Sequence, residues 1–109
     1  RYVEPVVLYA LKLKGEAHGY DLAGVVQECA LTDAEIERAS LYRTLKHLEA
    51  CGYVTSRWDA DESGPARRLY RLTESGEQYL QDWVDTLDRL SRSMARFVAD
   101  ARSLGADAE

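Results

Sequence analysis

The chain has 109 residues, 46% of them apolar and 30% charged, with a formal net charge of −5; this describes one soluble globular domain, or one small domain with an appended element. No run approaches the ~18 consecutive apolar residues of a membrane span and no secretory signal is visible, so a cytoplasmic protein without membrane contact is expected. Cys29 and Cys51 stand far apart without a CxxC pattern, and His18 and His47 are the only histidines; the thiols read as buried and free, and no metal or cofactor is expected.

In chain order, Pro5 sits well in the first turn of a helix. Val3, Val6, Val7, Ala10, Leu11 and Leu13 make that helix apolar on more than one side, which marks it as core, and it ends near Lys14-Gly15. A second helix opens at His18-Gly19-Tyr20-Asp21 and buries Leu22, Val25, Val26 and Cys29. Here two readings stand side by side. Gly19 and the free N–H groups of a helix start can meet an anion such as a DNA phosphate, with Tyr20 as a further donor; equally, Gly19 can ease the turn while Tyr20 packs inward.

Thr32-Asp33-Ala34-Glu35 matches a capping box, so a helix is expected from Asp33 through Ile36. Ser40 is a candidate N-cap for the next helix, and the pattern leaves open whether 33–39 and 40–51 form one helix or two. In that next helix Leu41, Leu45 and Leu48 fall at i, i+4, i+7 and form a buried stripe. Ser40, Tyr42, Arg43, Lys46 and His47 stand off the stripe, a mixture suited to the DNA major groove, where Arg or Lys meets guanine and Ser or Thr meets bases or phosphates. Gly52 reads as the left-handed residue that closes the helix.

A two-stranded hairpin follows without a linker. Tyr53 to Trp58 alternates Val54, Ser56 and Trp58 against Tyr53, Thr55 and Arg57; Asp59 to Ala66 is a polar turn marked by Gly64-Pro65; Arg67 to Leu72 returns with Arg68, Tyr70 and Leu72 on one face. From Arg38 to Arg71 seven bases face four acids, whereas from Thr73 onward eight acids face four bases. Because the field of a charge decays over roughly 8 Å at physiological salt, the acidity of the whole does not exclude DNA contact by the basic segment.

With Thr73 as N-cap, a long helix is expected from Glu74 to Leu104, after which the tail frays. Leu80, Leu87, Met94 and Ala101 recur every seven residues, as do Trp83, Leu90, Phe97 and Leu104. Such an a/d seam over nearly four heptads is too long for a small domain to cover and predicts a homodimer interface. No phosphate loop, metal-ligand cluster or catalytic triad pattern is present, and His47 and Cys51, four residues apart, read as a DNA-facing imidazole beside a half-buried thiol, so no enzyme is expected.

LKLKGEAHGYDL (11–22), LYRTLKHLEACGYV (41–54), WDADESGPARRLYRL (58–72) and TESG (73–76) together resemble the PadR family of bacterial transcriptional regulators, over about residues 3 to 80 and in the same order and spacing. One departure is Ala39-Ser40, where the family commonly carries Gly-Thr. The resemblance implies a mainly α fold with a small β-hairpin: a winged helix-turn-helix DNA-binding domain over 1–72 and a single C-terminal dimerisation helix with its tail over 73–109. It further implies a dimeric repressor of a palindromic operator in double-stranded DNA, released by a small, often aromatic effector near the dimer interface. Carried over by position, Ser40, Tyr42, Arg43 and Lys46 face the major groove, His18, Gly19 and Tyr20 hold phosphate, and Gly64, Arg67 and Arg68 bring the wing to the flanking backbone or minor groove. Tyr9 and Trp83 are the expected walls of an effector cavity between the first and last helices. The alternative is a winged-helix module that binds a protein and no DNA.

Overall fold

The computed structural model describes residues 2–32, 35–60 and 66–107. The elements run α1 (Val3–Lys14), β1 (Glu16–His18), α2 (Gly19–Glu28), α3 (Arg38–Ala50), β2 (Val54–Asp59), β3 (Arg67–Leu72) and α4 (Glu74–Asp107). This is a winged helix-turn-helix with a long C-terminal helix.

The core lies where α1, α2 and α3 meet the sheet. Leu8 and Leu11 of α1, Leu22 of α2, and Leu41, Leu45 and Leu48 of α3 are fully buried, joined by Val54 of β2 and Leu80 of α4. The leucine stripe of α3 thus packs inward and fixes which side of that helix is left to solvent. Leu13 departs from expectation: it is 61% exposed, because the apolar arc of α1 closes at Leu11 and the last turn runs past the core.

Among the described residues three strands, not two, form the sheet, in the order β1-β3-β2 and antiparallel throughout. Glu16, Ala17 and His18 pair with Arg71, Tyr70 and Leu69, so the segment before α2 is a strand added to the hairpin edge. Within the hairpin Val54, Ser56 and Trp58 stand opposite Leu72, Tyr70 and Arg68, the alternation read from the sequence. Of the expected turn, residues 61–65 lie outside the described residues.

The start of α3 also differs from expectation. Glu35, Ile36 and Glu37 are not helical; Glu37, in extended conformation, is the N-cap, and Ser40 already lies in the first turn. Asp33 and Ala34 of the capping-box match lie outside the described residues. A contact distant in sequence orders this entry: the Gln27 side-chain oxygen accepts the Ile36 N–H at 2.9 Å. At the other end Gly52 has φ +83°, its N–H reaches Glu49 O at 3.1 Å, and the Tyr53 N–H reaches Leu48 O at 2.9 Å. These are the two bonds of a Schellman cap, and they turn the chain directly into β2.

Thr73 caps α4. Its Oγ1 accepts the Gly76 N–H at 3.0 Å while its hydroxyl donates to Gly52 O at 2.7 Å, so one side chain ties the end of the α3 cap to the start of α4. Thr73→Val keeps the shape and removes both bonds; a loss of ~1–2 kcal/mol in urea unfolding is expected, and a loss within error would contradict the cap.

The helix does not fray after Gly105 but runs to Asp107, 34 residues in all, or ~51 Å at 1.5 Å per residue. It accounts for the elongated shape, 71 × 26 × 20 Å. Its first turns meet the rest of the chain. Lys12 pairs with Glu77, Tyr79 donates to Glu4 at 2.6 Å, and Trp83 packs edge-on against Tyr2. The bond to Glu4, together with burial, pushes the Tyr79 phenol above its ordinary value. Leu80, expected at a dimer interface, is 6% exposed and belongs to this chain's own core, and Trp83 packs against that core. Leu87 and Leu90 are half-buried, and Met94, Phe97, Ala101 and Leu104 are exposed. The seam is therefore shared: its first heptad packs within the chain and the remainder projects beyond it.

Candidate nucleic-acid interface

The exposed side of α3 carries Tyr42, Arg43 and Lys46 to solvent, with Ser40 half-buried at its start. Arg43 Nη2 donates to Ser40 Oγ at 3.0 Å, which orders both at the helix start without covering the guanidinium. Glu49 accepts the Ser56 hydroxyl at 2.6 Å and holds one face of the sheet against α3. Arg67 and Arg68 lie exposed at the beginning of β3. The exposed side of α3 and the exposed arginines at the outer end of the hairpin are both basic, and an α-helix with a flanking strand pair can follow a polyanion.

The three residues expected to hold phosphate are placed quite differently from one another. Gly19 is buried, and a Cβ there would come within 2.5 Å of the Tyr42 ring. Its missing side chain makes room for Tyr42, so the close approach is made by this chain itself. Tyr20 is 64% exposed and does not pack inward; Arg38 lies over its ring at 5.2 Å. His18 has both nitrogens turned to carboxylates, Nε2 to Asp59 at 3.1 Å and Nδ1 to Asp21 at 3.4 Å. It fastens the start of α2 to the outer end of β2. Gly64 lies outside the described residues.

A family model described as the transcriptional regulator PadR-like family matches residues 7–82. The chain belongs to this family. Among curated relatives, the "Negative transcriptional regulator PadR" of Bacillus subtilis (strain 168) is 31% identical over 77 residues, 71% of this chain but 42% of that protein. The chain therefore spans well under half of that PadR.

Among solved structures, Bacillus subtilis PadR in complex with operator DNA is 31% identical with a TM-score of 0.66, covering 77% of this chain and 47% of that one. A PadR family regulator from Clostridium difficile R20291 has a TM-score of 0.77 over 90% of this chain and 99% of that one, and at 23% identity it shows the shared fold alone. A further PadR family regulator, from Eggerthella lenta DSM 2243, is 28% identical with a TM-score of 0.69, covering 85% and 80%.

In this PadR-like chain the sequence reading passed over two exposed side chains beside α3. Arg38 opens the helix, and Trp58, 62% exposed on β2, lies under the guanidinium of Arg68 at 4.8 Å. Trp58 stands directly opposite Arg68 in the strand register, a pairing that the alternation of the two strands could have shown. Arg57, on the other face, is held by Glu16 at 3.3 Å.

The helix end corrects the reading of the cysteines. Cys51 is exposed, its Sγ 3.7 Å from His47 Nε2, and Cys29 is partly buried. Position 51 follows the last helical residue, where α3 runs out of the core into solvent. Among the described residues no three metal-ligating side chains converge, and no helix is long and apolar enough to cross a membrane. An open recess between α1 and α4 is lined by Lys12, Glu74, Ser75, Glu77, Gln78 and Gln81; Tyr9 and Trp83 are not among its walls. Trp83 meets the start of α1 at Tyr2, two helical turns from Tyr9, which is 47% exposed.

Proposed function

We propose that the protein is a sequence-specific DNA-binding regulator that works as a homodimer on a palindromic operator and acts as a repressor. The observation that carries this reading is the exposed Tyr42, Arg43 and Lys46 row on a helix whose other side is locked into the core. A recognition helix needs that division: rigid behind, basic and hydrogen-bonding in front. The operator-DNA complex of the Bacillus relative supports it. Ser40, Tyr42, Arg43 and Lys46 read the major groove, Gly19 seats Tyr42, and the wing with Gly64, Arg67 and Arg68 meets the flanking backbone.

Dimerisation supplies the two-fold symmetry of such a site. Support comes from the projecting half of α4, with Met94 54%, Phe97 72% and Leu104 72% exposed on the face of the heptad seam. An apolar row on a helix that leaves its own domain needs a second copy for burial. Relief of repression by a small aromatic molecule is the last part of the reading. Its support is the aromatic wall of Tyr2, Tyr79 and Trp83 at the root of that helix, where a bound ring would alter the junction between α4 and the DNA-binding domain.

The test is Arg43→Ala, measured by fluorescence anisotropy on a duplex from directly upstream of the gene and on a scrambled duplex. A guanine contact is worth ~1–3 kcal/mol of discrimination, so the variant should lose affinity for the upstream duplex and keep its weak affinity for the scrambled one. Unchanged operator affinity would remove Arg43 from the groove. Retention of no DNA at all, with a stable protein partner instead, would favour the protein-interaction module.

A further inference from the structure

Two arginines beside α3 lie on aromatic rings that are themselves open to solvent. Arg68 covers Trp58 at 4.8 Å and Arg38 covers Tyr20 at 5.2 Å, while Trp58 and Tyr20 are 62% and 64% exposed. One pair lies on the hairpin and the other at the start of the recognition helix. Arg38 is its first residue, and Tyr20 follows Gly19, which lies against Tyr42 of the same helix. Trp58 is two residues beyond Ser56 on the sheet face that Glu49 of α3 holds, ~7 Å further along the strand. His18 ties together the backbone segments that carry the two rings, since its carboxylate partners are Asp21, next to Tyr20, and Asp59, next to Trp58.

We propose that Trp58 and Tyr20 are positioning residues whose rings hold the guanidinium groups of Arg68 and Arg38 as two phosphate clamps, one on the wing and one at the start of the recognition helix. The proposal rests on the DNA-binding reading and assigns its backbone contacts. A guanidinium meets a ring with its flat face, which leaves the in-plane N–H edges free for a phosphate. An unsupported arginine loses rotamer freedom when it binds; one already laid on a ring has lost part of it beforehand. Charge complementarity favours the duplex backbone as occupant, because each clamp offers a cation laid on a ring that, among the described residues, is in no ion pair with a carboxylate.

The experiment is a salt series of anisotropy titrations with the upstream and scrambled duplexes. Trp58→Ala should weaken both by roughly 3- to 10-fold while leaving the slope of log K against log salt unchanged, since the cation remains. Arg68→Ala should weaken both and flatten the slope by about 0.9. Trp58→Ala added to Arg68→Ala should cost almost nothing further, because the ring acts through the arginine. Trp58→Phe should restore most of the affinity.

On the second pair, Tyr20→Phe should bind like wild type and Tyr20→Leu should not, which separates a ring platform from a hydroxyl that itself donates to phosphate. Equal losses from Trp58→Ala with and without Arg68 would show that the ring touches DNA directly and would overturn the proposal, as would no loss at all. Absence of any wild-type complex at low salt would overturn the DNA-binding reading and the clamps with it.

Discussion

Replacing Gly76 by alanine should destabilise the protein by ~3 kcal/mol or more, lowering the midpoint of thermal unfolding by ~10 °C or more. Helix propensity alone predicts the opposite sign, because glycine in a helix costs roughly 0.5–1 kcal/mol relative to alanine. The difference is the neighbour. A Cβ at position 76 would lie 1.9 Å from the carbonyl oxygen of Tyr53, and that oxygen cannot swing away, since it accepts the Thr73 N–H at 3.1 Å. The chain leaving the α3 cap crosses the first turn of α4 at this point, so the added methyl forces the α3 cap and the start of α4 apart. Gly105, on the same helix, is the internal control. A Cβ added there would meet nothing within 4 Å, so Gly105→Ala should be neutral or slightly stabilising. Equal effects at the two positions, read by calorimetry, would contradict the close crossing.

The second large effect is expected at the projecting face of α4. On the proposed homodimer reading, wild type should sediment as a dimer at micromolar concentration and Phe97→Asp as a monomer. A two-fold interface counts each change twice: the lost burial of two phenyl rings, ~1.5–3 kcal/mol each, comes with the cost of two carboxylates at the seam. The sum exceeds about 5 kcal/mol, or roughly 10³- to 10⁴-fold in the dissociation constant. Folding of the N-terminal domain should survive, because Phe97 is 72% exposed and lies outside its core. Tight DNA binding should fall with the dimer, since a monomer contacts a single half-site. A variant that stays dimeric would place the association elsewhere.

What the sequence disclosed were features encoded within one element. The spacing of Leu41, Leu45 and Leu48 is enough to orient α3, and the exposed row of Tyr42, Arg43 and Lys46 follows from it. Gly52 announces its cap because a left-handed residue after a helix has few alternatives to glycine, and the strand alternation from Val54 to Trp58 sets the hairpin faces. The misreadings came where an element takes its definition from a distant partner. Strand β1 is three residues long, too short for any alternation, and is a strand only because β3, more than fifty residues on, pairs with it. The start of α3 at Arg38 has no capping side chain and is ordered by Gln27 from α2. The heptad repeat correctly marked one face of α4 as apolar, but periodicity does not name the partner; Leu80 and Trp83 turned out to serve their own domain. Gly19 looked like a place for a phosphate because its true neighbour, Tyr42, is brought there only by folding.

The central claim is most directly tested by the salt dependence of binding between the wild-type protein and a duplex from directly upstream of its gene. The expected result is a complex that resists scrambled competitor and weakens steeply with salt, with a slope near −0.9 for each phosphate neutralised and thus several units in all. A binding curve indifferent to salt, or no complex at low salt, would contradict the account.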